Sequence, residues 1–224
     1  MRLEDIEKRY CLSLKRRPDR RRLVSKNLEE HDIEFEFFDA VDGQFMNIDR
    51  SGCNEWMSNA SKGTFGIIES YIQLVKNAEF LGLSNFLIFE DDVEFCNTFQ
   101  KDVNIFLENV PDDWDIIYFG GNHLDHFPVP VNEYVSRCVS TRTTHALIFR
   151  NTCYNKVLDK ITSFYSPVDE MLAEMQKKGE VIAYVPVPSL VWQFESYSDI
   201  EEKKANYEFL KTYTEEDYKK STGF

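Results

Sequence analysis

The chain has 224 residues, 42% apolar and 14% aromatic, enough to bury the core of one folded domain. Its formal net charge of −13 argues against nucleic acid or an anionic membrane surface as the main partner. No run approaches the roughly 18 uninterrupted apolar residues of a transmembrane helix, and the opening MRLEDIEKRY lacks the apolar stretch of a signal peptide. The expectation is a cytoplasmic chain with no transmembrane segment.

YCLSL, residues 10–14, is a short apolar run that reads as a buried strand. It meets KRRPDRRR, residues 15–22, with six basic residues in eight; Pro18 and Asp19 there suit the first turn of a helix reaching about His31. FEFFDAVDG (35–43) reads as a second strand ending in a turn. Residues 44–62 are polar, show no period and read as a loop. Ile67, Ile68, Tyr71, Leu74, Val75 and Ala78 fall at helical spacing and predict a helix from Thr64 to about Leu81, closed by Gly82.

FLIF (86–89) is the next strand, followed by Glu90, Asp91 and Asp92, a short extension and a helix near 98–109. WDIIYFGG (114–121) reads as a strand stopped by a glycine pair, 122–134 as a loop, and HALIF (145–149) as a strand. Helices are expected near 151–162 and 167–178, then extended segments at VIAYVPVP and SLVWQF. The charged tail from 199 is expected to be helical to about Lys211. Strands alternating with helices predict a single α/β domain over 1–224, with helices on both faces of its sheet.

Three adjacent carboxylates behind a buried strand repel one another and resist desolvation. A divalent cation relieves both costs, and oxygen ligands suit Mn²⁺ or Mg²⁺. Alternate residues of an extended segment share a face, so Glu90 and Asp92 can meet one ion while Asp91 points elsewhere. The competing reading is a solvated acidic turn. The basic cluster has three readings: a nucleic-acid patch, a solvated helix face, or Arg17 and Arg20 reaching a phosphate from the end of the first strand. The histidines show no metal-ligand spacing, and His145 reads as structural. The five scattered cysteines lack a C-x-x-C pair and read as reduced thiols. Trp192 and Tyr197 read as packing residues, not a sugar-stacking platform.

Taken in order, LSLKRRPDRR, FFDAVDG, KGTFGIIESYIQLVKNA, FLIFEDDV, WDIIYFGG, THALIFRN, SPVDEML and VPVPSLVWQFESYSDI resemble glycosyltransferase family 25 from Tyr10 to about Ile200. Two positions depart from its pattern: Ile67 and Tyr71 stand where the family often has Cys and His. The resemblance implies a GT-A type, Rossmann-like transferase that moves a hexose, galactose or glucose, from a UDP-sugar to a glycan or hydroxylated protein acceptor with inversion. It implies that Leu12, Ser13, Leu14, Arg17, Arg20, Ser70 and Asp91 serve the sugar nucleotide, with Asp39, Ala40, Val41 and Asp42 at the uridine. Glu90 and Asp92 would hold Mn²⁺ or Mg²⁺, completed by Gln193 or by Ser196 or Asp199. Asp169, or Glu170 in its place, would be the general base, against the alternative that both merely cap a helix. A metal-dependent phosphoesterase and a non-catalytic binding module of the same fold are the rival functions.

Overall fold

The computed structural model describes residues 1–51, 53–198, 203–206, 208–211 and 216. In chain order its elements begin with β1 (Arg9–Ser13), α1 (Pro18–Glu30), β2 (Glu36–Asp39), α2 (Glu55–Asn59), α3 (Lys62–Phe80), β3 (Asn85–Glu90), β4 (Val93–Phe95) and α4 (Phe99–Glu108). Next come β5 (Ile116–Tyr118), β6 (Asn122–His123), β7 (Val129–Pro130), β8 (Ser136–Arg137), β9 (Thr141–Arg142) and β10 (Ala146–Arg150). The remainder are α5 (Tyr154–Ile161), α6 (Val168–Lys178), β11 (Ala183–Val185), β12 (Val191–Gln193), β13 (Ser196–Ser198) and β14 (Lys203–Ala205). Local chemistry sets the helix ends. Pro18 and Asp19 open α1, the Ser61 hydroxyl accepts the Thr64 N–H at the start of α3, and Gly179 closes α6 at φ 69°.

Eight strands form one mixed sheet in the order β2-β1-β3-β10-β5-β11-β8-β7. β1 runs parallel to both β2 and β3, whereas β10 runs against β3 and β5. The carboxyl ends of β1, β2 and β3 therefore share an edge with the start of β10. Strand order reverses at β1, the position where open α/β sheets leave a crevice for ligands.

Period-two alternation feeds two cores. Phe86 and Ile88 join the layer of α3, α5 and α6, with Ile68, Val157 and Met171. Leu87 and Phe89 join the opposite layer of α1 and α4, with Leu28 and Val103. All four strand side chains are fully buried, each contributing about 1.5–3 kcal/mol. Helices thus cover both faces, as expected. Among the described residues no helix is long and apolar enough to cross a membrane. All five thiols are free, and Cys11, Cys138 and Cys153 are buried.

Three expectations need correction. The span 44–62 is not wholly loop: Asn54 caps α2 by accepting the Met57 N–H, but a single turn is too short to show a period. The span 122–134 contains β6 and β7, each two residues long. Where described, the tail is not helical up to Lys211: β14 pairs antiparallel with β13, and Glu208–Lys211 is a 3-10 turn. Leu210 is buried and the Lys211 ammonium lies 3.0 Å from Glu94, so docking outweighs the composition that suggested a helix.

Candidate active site

The shared strand edge opens into a cleft of about 670 Å³. Its walls come from Leu12–Leu14 of β1 and beyond, Ala40–Asp42 after β2, the first turns of α3, Glu90–Asp92, Thr143 and Thr144, Ser166–Glu170, and Gln193. The alternation that sorts the cores continues into the acidic triplet. Glu90 follows Phe86 and Ile88 toward the α3–α6 layer, where its Oε1 accepts the Thr144 hydroxyl at 2.6 Å. Asp91 follows Leu87 and Phe89 toward α1. There its Oδ2 accepts the Ser13 hydroxyl at 2.6 Å and its Oδ1 the Arg20 guanidinium at 2.5 Å. Asp92 meets Arg20 at 3.3 Å. β12 pairs with β4 so that Gln193 lies opposite Val93, bringing its amide to 3.5 Å from Glu90 and 3.3 Å from Asp92.

Arg20 is 11% exposed and Asp91 9%, so the pair is shielded from water. Burial raises the Asp91 pKa, against the lowering effect of Arg20. Arg20→Ala leaves that carboxylate without its cation. The expected loss is about 3–5 kcal/mol of stability, measured by urea unfolding; an unchanged midpoint would refute a structural role for the pair.

Glu90 has a neutral hydroxyl and a neutral amide as hydrogen-bond partners. Burial, and after it the Asp92 charge, push its pKa from 4.5 up to about 8. Between those values the native state holds a proton that the unfolded chain has released, so stability falls as pH rises through that window. Glu90→Gln removes this slope. In metal-free melts its Tm is expected to exceed that of the wild type at pH 8 and to converge on it near pH 5. Parallel curves at both pH values would contradict the assignment.

Residues 142–144 hold three cleft carboxylates in sequence. The Arg142 guanidinium donates to Glu170 at 2.5 Å, the Thr143 N–H to Asp169 at 3.4 Å and the Thr144 hydroxyl to Glu90. Thr143 takes φ 70°, a left-handed conformation that β-branched residues rarely adopt and that the surrounding structure must impose. Behind it, the Tyr71 hydroxyl donates to the Thr144 carbonyl at 2.9 Å. Tyr71 thus braces this segment from the α3 side, and Gln176 of α6 bonds both the N–H and the C=O of Thr141. Asp169 stands in the first turn of α6, where its Oδ1 accepts the Glu170 N–H at 2.9 Å. Burial and the Glu170 charge raise its pKa.

Of the residues expected to serve a ligand, Leu12, Ser13, Leu14, Arg20, Ala40, Val41, Asp42, Ser70, Glu90, Asp91, Asp92, Asp169, Glu170 and Gln193 all border the cleft. Arg17 and Asp39 do not border it. Arg17 precedes α1 and turns onto Asp19 at 2.9 Å, while Arg16, bonded to Asp42 at 2.6 Å, takes the cleft wall. Asp39 pairs with Lys15 and Arg21 at 2.8 and 2.7 Å. Ser70 is fully buried and spends its hydroxyl tethering the chain, donating to Gly66 and accepting the Val41 N–H. A Cβ on Gly66 would come within 2.6 Å of the Val41 carbonyl, so glycine is what lets α3 approach that turn.

His145 is buried, bonds the Val191 carbonyl and is held neutral, its pKa lowered to about 4 by burial. Trp192 is buried and donates to Glu94. Asp199 lies outside the described residues. Among the described residues, no three His, Cys, Asp or Glu side chains converge as a metal-holding group. Thr143, Thr144 and Trp56 escaped the sequence reading. Two hydroxyls ahead of HALIF were the available signal for the threonines, but nothing local marks the direction of that strand.

The sheet thus ends in an acidic crevice at the carboxyl ends of its parallel strands, where open α/β folds bind their ligands. Residues 6–172 match the model of glycosyltransferase family 25 (LPS biosynthesis protein), and the chain belongs to that family. It is 30% identical to human procollagen galactosyltransferase 2 over 194 residues, 78% of this chain and 31% of that protein. It is 32% identical to human inactive glycosyltransferase 25 family member 3 over 125 residues, 50% of this chain and 21% of that protein. The chain thus spans a third or less of these relatives. A glycosyltransferase involved in glycosylation of the major capsid of PBCV-1 superposes with a TM-score of 0.39 at 11% identity, over 68% of this chain and 64% of that one, a likeness too slight to build on.

Proposed function

We propose that the chain is a metal-dependent, inverting hexosyltransferase that takes galactose or glucose from a UDP-sugar to a hydroxyl of a glycan or hydroxylated protein. One observation carries this reading: adjacent residues Thr143 and Thr144 bond Asp169 and Glu90, so the acidic triplet and the first turn of α6 line one cleft together. The donor set fits a hard divalent cation. Asp91 is held by both Arg20 and Ser13, whereas Asp92 meets Arg20 only at 3.3 Å. Glu90 and Asp92 share the Gln193 Nε2 as a neutral donor, so these two carboxylates are the oxygen ligands on offer. Such cations are commonly held by one or two carboxylates plus substrate phosphates. When bound at Glu90 and Asp92, Mn²⁺ or Mg²⁺ would neutralise charge on the departing diphosphate.

The chain's own residues supply the rest. Leu12–Leu14 and Ala40–Asp42 form the wall for the nucleotide. Asp169 accepts the proton of the acceptor hydroxyl as its oxygen bonds the anomeric carbon from the face opposite UDP. The carbon–oxygen bond to UDP breaks with its electron pair leaving on the phosphate, so the configuration inverts. A carboxyl whose pKa is raised by burial is a stronger base than an ordinary aspartate. Galactose is favoured by the name of the human procollagen relative.

The second reading, a binding module without catalysis, is favoured by the relative named inactive. Incubation with a panel of UDP-sugars, Mn²⁺ and glycan acceptors, and separately with p-nitrophenyl phosphate, divides the possibilities. UDP release with sugar transfer is expected. Phosphate release from the simple ester indicates a hydrolase, and neither product indicates the module.

A further inference from the structure

Of the chain's three tryptophans, Trp114 and Trp192 are 7% and 9% exposed, whereas Trp56 is 55% exposed. A large apolar ring left in water forfeits burial energy, and at a cleft such a ring is a candidate contact for a ligand. Trp56 borders the mouth of the cleft and also a shallow adjoining groove with Asn54, Glu55, Asn59 and Ala60. Its helix is firmly seated. Met57 is fully buried, and the Arg50 guanidinium donates to the carbonyls of Met57, Ser58 and Ala60 at 3.1, 2.6 and 2.9 Å. The Asn54 amide donates to the Tyr165 carbonyl at 2.6 Å, tying α2 to the segment that leads through Ser166 and Pro167 to Asp169. The indole and Asp169 thus line one cleft, with α2 tied to the segment that leads into α6.

We propose that Trp56 and the adjoining groove form a subsite for a pyranose ring of the acceptor, one sugar removed from the reacting hydroxyl. The inference rests on the transferase reading of the cleft and deepens it: the acceptor is a glycan, not a bare hydroxylated side chain. A pyranose presents axial C–H groups on one face and hydroxyls around its edge. The C–H face lies flat on an aromatic ring, and the edge needs polar partners, which the exposed Glu55 carboxylate and Asn59 amide supply. Continuity with the cleft selects a substrate over a second protein.

Ligand-observed saturation-transfer NMR on the full chain, with methyl β-galactoside, lactose, maltose and chitobiose as probes, tests this. Calorimetry with UDP and Mn²⁺ is run on the same samples. At least one sugar is expected to bind saturably, with affinity about tenfold lower in Trp56→Ala and within about threefold of wild type in Trp56→Phe. UDP binding and Tm should be unchanged in both variants. Equal sugar binding by Trp56→Ala, no saturable sugar, or UDP affinity that falls with the indole would overturn the subsite. Indole-dependent sugar binding by a wild type that ignores UDP upholds the subsite and refutes the donor reading. UDP binding without sugar binding does the reverse.

Discussion

Asp169→Asn is expected to lower turnover by about 10²–10⁴-fold, the contribution of a positioned general base. The variant keeps the shape of the side chain. An asparagine Oδ1 can still accept the Glu170 N–H, and the bond it gives up, from the Thr143 N–H, is long at 3.4 Å. Loss of one such bond costs about 1 kcal/mol at most, and removing a buried charge offsets part of it. Tm and UDP affinity should therefore stay near wild-type values while the rate collapses. The pH profile supplies a second readout. A base must be deprotonated, and burial raises this carboxyl above its ordinary value of 3.8. The acid limb of kcat/KM should consequently lie above the ordinary aspartate range. Glu170→Gln is expected to act less directly, because Glu170 is paired with Arg142. If Asp169→Asn unfolds the chain but leaves the rate per folded molecule intact, Asp169 is a helix cap. A product of retained anomeric configuration would remove the need for either base.

Asp92→Ala is expected to abolish the effect of Mn²⁺ on UDP binding. In the wild type, calorimetry should show UDP affinity rising at least about tenfold when Mn²⁺ is added, as expected when substrate phosphates complete a cation's oxygen shell. Removing Asp92 leaves Glu90 as the single carboxylate facing the Gln193 amide, since Asp91 is already taken by Arg20 and Ser13. The sign of the pH effect follows from Glu90, whose pKa is pushed up to about 8. A ligating carboxylate must release its proton, so apparent Mn²⁺ affinity should weaken as pH falls below that value, by up to about tenfold per unit. A Mn²⁺ enhancement of UDP binding in Asp92→Ala as large as in the wild type, or no enhancement in the wild type, would sink the assignment.

What could be read from the chain alone were features decided within one element. Alternation along FLIFEDD separates Glu90 from Asp91 because an extended backbone sends neighbours to opposite faces whatever surrounds it. Pro18 with Asp19 marked the start of α1, and the apolar stripe of α3 showed its face, because these too are local preferences.

The assembled site needed contacts between elements distant in sequence. HALIF reads equally well in either direction, yet only its antiparallel pairing, Ala146 opposite Phe89, carries Thr143 and Thr144 to Glu90 and Asp169. The choice of Arg16 over Arg17 for the cleft wall depends on how the chain turns between β1 and α1 and on where Asp42 waits to receive it. Trp56 lay hidden in an apparent loop because one helical turn has no period, and a tertiary bond from Asn54 to the Tyr165 carbonyl ties its helix to the cleft that it lines. Periodicity reports which way a side chain points along its own strand or helix; which partner it meets is decided by the packing of the whole sheet, where burial and hydrogen bonding across long sequence separations outweigh any local preference.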